Sequence, residues 1–226
     1  MKEPSKRIKE AAKLVEKGKL YSISEAFSTI KQLPLAKFDE SVDLSITLNV
    51  DPKKTDQMVR GTVVLPHGTG KKKRVLVFAK GEAEAEAKQA GADFVGANDL
   101  IDKVSKGFMD FDCVVATPDM MKDVSRLGKI LGPRGLMPSP KTDTVTNNVA
   151  KVVKELKAGK VEFRANKQGQ IHISIGKASF SQEAIQDNFN VFFEALNQTK
   201  SSSIKGSFIK SMYISTTMGP GVKLKA

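Results

Sequence analysis

Two different strand textures share this chain, and few architectures accommodate both. From residue 41 to 50, Val42, Leu44, Ile46, Leu48 and Val50 alternate with Ser41, Asp43, Ser45, Thr47 and Asn49. Period-two alternation of this length means one buried and one wet face, as in an antiparallel sheet. The wet face carries hydroxyls and amides where Lys and Glu are usual. After the turn Asp51-Pro52-Lys53-Lys54, a second strand runs from Arg60 to Leu65. The same texture returns late in the chain. Val161, Phe163 and Ala165 alternate with Glu162, Arg164 and Asn166, and Lys167-Gln168-Gly169-Gln170 turns into Ile171, Ile173 and Ile175, which predicts a hairpin. The last predicted strand runs from Ser207 to about Thr216, with Phe208, Met212 and Ile214 on one side.

The middle reads differently. Val75-Leu76-Val77-Phe78-Ala79 and Cys113-Val114-Val115-Ala116 are continuous apolar runs, as in strands buried on both faces. Between and after them come helix formers (Gly81 to Lys88), a short strand (Phe94-Val95), a helix from Asp99 to Lys106, and a helix opened by Thr117-Pro118-Asp119 and running to about Leu127. A loop rich in Gly and Pro follows, Leu131 to Pro140, then a helix carrying Val149, Val152, Val153 and Leu156 and ending at Ala158-Gly159. Strand–helix alternation of this kind makes a parallel α/β unit. On the flanks, helices are predicted from a Ser5 cap to Gly18, from Ser22 or Ser24 to Lys31 before Pro34, and from Ser181 to Asn197, with a loop from Thr199 to Ser203. Residues 1–66 and 160–226 therefore read as one domain, with 67–159 inserted; three consecutive small domains is the alternative.

Charge narrows the partner. The chain has 37 basic and 25 acidic residues, a net +12. That excess favours a polyanion through counterion release, although surface charge also serves solubility alone. The flanks carry more of it: 16 basic and 12 acidic residues fall in 67–159, leaving 21 and 13 outside. With no Trp and two Tyr, rows of stacked bases are not the binding mode. No apolar run approaches the ~18–20 residues that span a bilayer, so no membrane partner is expected. The polar start, with Glu3, Glu10 and Glu16, fits neither signal nor transit peptide, and the single Cys113 suits a reducing cytosol.

Catalytic sites fail one by one. His67-Gly68-Thr69-Gly70-Lys71 lacks the first glycine of a phosphate loop, where Leu65 stands, and has Lys72 where Ser or Thr is needed. Lys80-Gly81-Glu82 after Phe78-Ala79 lacks the dinucleotide fingerprint. No nucleotide cofactor is expected. Two scattered histidines, His67 and His172, and one cysteine make no zinc site, and Cys113 reads as an inert core thiol. Asp110 and Asp112 end a loop.

Three segments suit a ligand better. In Leu127 to Pro138, Lys129 and Arg134 could meet phosphates, or the segment is an irregular structural loop; both readings stand equal. Thr216-Thr217-Met218-Gly219-Pro220-Gly221 offers hydroxyls, an apolar Met and glycines that let an RNA backbone approach, or it is a strand-ending turn. Lys37-Phe38 is a stacking-plus-phosphate pair if Phe38 is exposed, though a buried Phe opening a strand is commoner.

These segments also carry a resemblance. Ala36-Lys37-Phe38-Asp39-Glu40, Asp51-Pro52-Lys53-Lys54, and the run Val59 to Lys71 resemble the bacterial ribosomal protein L one family. So do Ala116-Thr117-Pro118-Asp119, the Leu127–Pro138 loop, Gly159 to Arg164 and Thr217-Met218-Gly219-Pro220, in order over nearly the whole chain. The resemblance implies an α/β protein: a discontinuous α+β sandwich from both chain ends, and an inserted parallel-sheet, Rossmann-like domain on a two-strand hinge. It implies a monomer outside the ribosome that binds large-subunit (23S-type) rRNA at the mobile stalk, helps release exit-site tRNA, and represses its own operon by binding the mRNA. Carried over by motif, the rRNA contacts are Lys37, Phe38, Ser41, Ser211, Thr217, Met218 and Gly219. Arg164 and Lys167 are added from position and charge. Two departures stand out: Ser41 replaces the usual Thr, and Asp143 stands where Gly is expected. The run Lys71-Lys72-Lys73-Arg74 is unusually basic for a hinge exit and would add a phosphate contact.

Overall fold

The computed structural model describes residues 6–16, 18–33, 36–51, 54, 57–200 and 206–225, without the side chain of Lys6. The expected Ser5 cap, the Pro34 stop, the Pro52-Lys53 turn and the Ser201–Ser203 loop lie outside them. In chain order the elements are helices α1 (Lys6–Leu14) and α2 (Ile23–Gln32), then strands β1 (Ser41–Leu48), β2 (Arg60–Val64) and β3 (Val75–Phe78). Next come α3 (Glu82–Gln89), β4 (Phe94–Gly96), α4 (Asn98–Ser105), β5 (Cys113–Ala116), the short helices α5 (Met121–Val124) and α6 (Gly128–Leu131), and α7 (Val149–Ala158). The chain ends with β6 (Lys160–Arg164), β7 (Gln170–Lys177), α8 (Gln182–Gln198), β8 (Ile209–Thr216) and β9 (Val222–Leu224).

Two compact units result: residues 1–70 with 162–226, and residues 71–161. The junctions fall at 70/71 and 161/162, four and two residues later than those read from the sequence, at 66/67 and 159/160. In the first unit a four-stranded sheet has the order β7-β1-β8-β9, with every pair antiparallel. Its buried face is the apolar half of the alternation: Val42, Leu44, Ile46 and Leu48, then Ile171, Ile173, Ile175, Met212, Ile214, Val222 and Leu224. Helices α2 and α8 cover that face, with Phe27 edge-on to Phe189 at 6.3 Å. Helix α2 begins with a capping box between Ser22 and Glu25, so Ser22 and not Ser24 is its cap.

The hairpin predicted for β6 and β7 does not form. β6 pairs with β2 in a separate two-stranded sheet, and β7 pairs with β1. The turn at 166–169 is real, with Gly169 at φ 72°, but Phe163 packs edge-on to Phe192 of α8 at 5.3 Å and draws β6 away. Gly61 of β2 makes room, since a Cβ there would lie 2.7 Å from the Phe163 ring.

The second unit is a parallel sheet in the order β4-β3-β5 with helices on both faces. Leu76, Phe78, Val114 and Ala116 face one cluster with α4, Met120, Val124, Leu127 and Leu131. Val75, Val77 and Val115 face the other, with Ala87 of α3 and Val149, Val152, Val153 and Leu156 of α7. The helix predicted from Pro118 to Leu127 is broken into 3-10 and α turns, and it continues to Leu131. Cys113 is half-buried beside the second cluster. Asp143 adopts the left-handed conformation (φ 54°) that favours glycine, and its carboxylate lies 3.3 Å from buried Lys160 Nζ, which also bonds Glu155 at 3.0 Å. An ion pair thus accompanies the departure at this turn.

Candidate nucleic-acid interface

The open face of the four-stranded sheet is the other half of the alternation. β1 presents Ser41, Asp43, Ser45 and Thr47; opposite them on β8 stand Ser215, Tyr213 and Ser211, and on β7 Ser174, His172 and Gln170. Ser45 and His172 Nδ1 are 3.0 Å apart. A groove on this face is lined by Ser45, Thr47, His172, Tyr213, Ser215 and Gly221 among others. Tyr213 and His172 stand on this face too, though the motif reading did not single them out. The signal was present, because the period-two reading made of β1 extends to β7 and β8 and puts both on the wet side.

At the Ser41 end, two segments distant in sequence are laced together. Thr217 N–H donates to Ser41 O (3.0 Å), and Ser41 N–H donates to Thr217 Oγ1 (3.0 Å). Glu40, 1% exposed, sits beneath both segments. Its Oε1 accepts from Ala36 N–H (2.6 Å) and Arg7 (3.2 Å), and its Oε2 accepts from Met218 N–H (3.0 Å). Asp39 anchors the other flank, accepting from Ser179 N–H (3.1 Å) and Ser179 Oγ (2.9 Å). The loop that carries Lys37 and Phe38 is therefore held at both feet. Both side chains are exposed, Phe38 by 55%, so Phe38 is not the buried strand-opening residue of the commoner reading. Met218, 180 residues later in the chain, is 50% exposed and follows Thr217 directly, so the Ser41–Thr217 bonds bring its segment to the end of β1.

The loop 217–221 does end β8, as the plain-turn reading has it, but the chain turns back at once. It joins β8 to β9, a strand too short to show in the pattern, which pairs Met212 with Leu224 and Ile214 with Val222. Its two glycines differ. A Cβ on Gly219 would lie 2.3 Å from Thr216 Oγ1, so internal packing requires glycine there. A Cβ on Gly221 would meet only Tyr213, at an ordinary 3.8 Å; internal packing does not require glycine, so the open approach suits a ligand.

The structure therefore gathers Lys37, Phe38, Ser41, Thr217, Met218 and Gly219 at one end of β1. Ser211 shares the open face but sits opposite Thr47, six residues further, roughly 20 Å along the strand. Arg164 and Lys167 are exposed beside the far end, lining a groove with Val50, Gln57 and Met58; there Gly169 O accepts from Leu48 N–H (2.8 Å). They belong to a second patch, apart from the first. Of the basic run, Lys73 donates to Lys160 O and Arg74 bonds Asp112, so only Lys71 and Lys72 are left for phosphate in the way the sequence suggested. Between Leu127 and Pro138, Leu127 and Leu131 are core, as the structural reading has it, and Lys129 and Arg134 face outward.

Glu40 gives the site a pH signature. Burial pushes its carboxyl up, but the Met218 and Ala36 amides, the Thr216 hydroxyl and Arg7 outweigh this and hold it below its usual 4.5. A carboxyl depressed in the folded state contributes stability above the unfolded value and loses it as pH falls through the folded one. Urea midpoints should therefore show the gap between wild type and Glu40→Gln wide at pH 7 and narrowing below about pH 4.5. A gap independent of pH would mean the charge contributes nothing.

Fold and face together define a class: a basic α/β protein of two units whose hydroxyl-rich sheet face, with an exposed Phe and Met at its rim, suits RNA. The pattern of the ribosomal protein L1p/L10e family matches residues 29–220. The large ribosomal subunit protein uL1 of Thermosipho melanesiensis is 55% identical over 225 residues, 99% of this chain and 97% of that one. The chain belongs to the ribosomal protein L1p/L10e family.

Proposed function

We propose that the chain is a structural constituent of the large ribosomal subunit that binds 23S-type rRNA at the mobile stalk through the open sheet face and its 36–41/216–219 rim. Domain one, the RNA-binding body, is the unit built from both chain ends; the inserted unit faces the exit-site tRNA and assists its release. The same face binds a similar structure in the mRNA of the chain's own operon and represses its translation. The observation that supports this most is the lacing of Ser41 to Thr217, which sets exposed Lys37, Phe38 and Met218 around one rim. Hydroxyls there suit 2′-OH and phosphate groups, and the apolar pair suits base or sugar faces.

The test titrates the full chain against a stalk rRNA fragment and an unrelated hairpin of equal length at rising salt. The stalk fragment should bind ~10³-fold more tightly or better. Equal affinities that vanish together at high salt would mean nonspecific charge binding. Lys37→Ala should weaken both RNAs alike and lower the salt slope by about one. A reporter led by the operon's own mRNA should lose translation when the chain is added, and ribosomes lacking the chain should release exit-site tRNA more slowly.

A further inference from the structure

We propose that Glu40 is the positioning residue of this RNA surface: one buried carboxylate sets the shape of both halves of the rim, without touching RNA itself. The inference rests on the reading of the rim as the RNA contact.

The geometry carries it. Glu40 meets the 36–41 loop through Ala36 N–H, the 216–219 loop through Met218 N–H, and α1 through Arg7. Each of these partners is a donor, so only a group that accepts on both oxygens satisfies them. An amide at this position must turn its NH₂ toward at least one donor. The carboxylate is also screened from the ligand. At 1% exposure it lies behind the loop, so it shapes the surface without repelling phosphates. Thr216 extends the arrangement: its hydroxyl helps to favour the charged Glu40 carboxylate and occupies the space that a Cβ on Gly219 would need. Glu40, Thr216 and Gly219 therefore form a layered support under Met218. A rim held before RNA arrives loses less ordering entropy on binding than one that must be assembled.

The experiment is a double-mutant cycle on the full chain with the stalk rRNA fragment, using Glu40→Gln, Met218→Asp and the pair, at a temperature where circular dichroism shows each folded. Glu40→Gln should weaken binding about tenfold. In the Met218→Asp background the same change should cost less than about twofold, because the rim it shapes is already disabled. A comparably destabilising core change, Ile185→Val on α8, should leave affinity unchanged. Glu40→Gln binding like wild type, or its full loss recurring on top of Met218→Asp, overturns the inference while the rim reading stands. If Met218→Asp and Phe38→Ala both bind like wild type, the rim reading fails and takes this inference with it; if Met218→Asp alone does, the 216–219 half is not a contact and the inference falls while the rest of the rim reading stands. Should Glu40→Gln not fold, amide exchange of the wild-type chain decides: equal protection of Ala36 and Met218 supports a shared anchor, and free exchange of either overturns it.

Discussion

Met218→Asp should cut affinity for stalk rRNA by about 1–3 kcal/mol, roughly ten- to a hundredfold, with the thermal midpoint unchanged. Phe38→Ala should lose a similar amount, the scale of one base–aromatic stack. Both side chains are half exposed, 50% and 55%, so little of the fold rests on them. Asp at 218 adds a charge beside phosphates and removes an apolar contact. Thr217→Val is a less clean probe. The Thr217 hydroxyl already accepts from Ser41 N–H at 3.0 Å, so removing it loosens the rim as well as any RNA contact. Ser211→Ala, some 20 Å along the sheet, should cost less and add to Met218→Asp. Unchanged binding by both Met218→Asp and Phe38→Ala, measured by anisotropy titration at fixed salt, would remove the rim from the interface.

How far the sequence reveals this surface depends on the range of the interaction involved. Period-two alternation marks the buried and open faces of β1 residue by residue, because strand geometry ties side-chain direction to position. Continuous apolar runs likewise mark β3 as buried on both faces. Pairing is another matter. β6 and β7 are joined by a tight turn and look like a hairpin, yet β6 pairs with β2 about 100 residues earlier, because Phe163 finds its place under α8. No local pattern encodes that choice. β9 is three residues long, below what periodicity can register. At the rim, motif chemistry singles out the Thr-Met-Gly loop and Lys-Phe, but not why they meet. The reason is the β1–β8 pairing, which sets Val42 opposite Thr216, with Glu40 beneath; this acidic residue's burial is visible only once Arg7, Ala36 and Met218 converge on it. Gly219 shows a requirement the sequence hides: beside the room for RNA read from the motif, a Cβ there would collide with the Thr216 hydroxyl.

The largest stability effect falls away from the RNA face, at Asn188 of α8. Its side chain is fully buried and every polar atom is used: Oδ1 accepts from His67 N–H (3.1 Å), and Nδ2 donates to Gly68 O (2.9 Å) and Ile175 O (2.8 Å). These bonds tie the segment 65–70 to the body of the first unit, which is why that unit extends to Gly70 and not only to Pro66. Asn188→Leu leaves Ile175 O buried and unpaired and frees His67 and Gly68 to solvent. About 2–4 kcal/mol should be lost from the unfolding transition of the first unit. Asn188→Asp separates hydrogen bonding from size. It keeps the acceptor for His67 but sets a carboxylate oxygen against two carbonyl oxygens, so at pH 7 it should cost at least as much as Leu. A carboxyl in that setting prefers its proton and then donates to one of the two carbonyls, so the Asp variant should recover part of the loss as pH falls toward 5. Denaturation followed at both pH values distinguishes the terms. An Asp variant as stable as wild type at pH 7 would mean that the two Nδ2 bonds contribute nothing, and that the exit of the chain from this unit is set by glycine geometry at 68 and 70 alone.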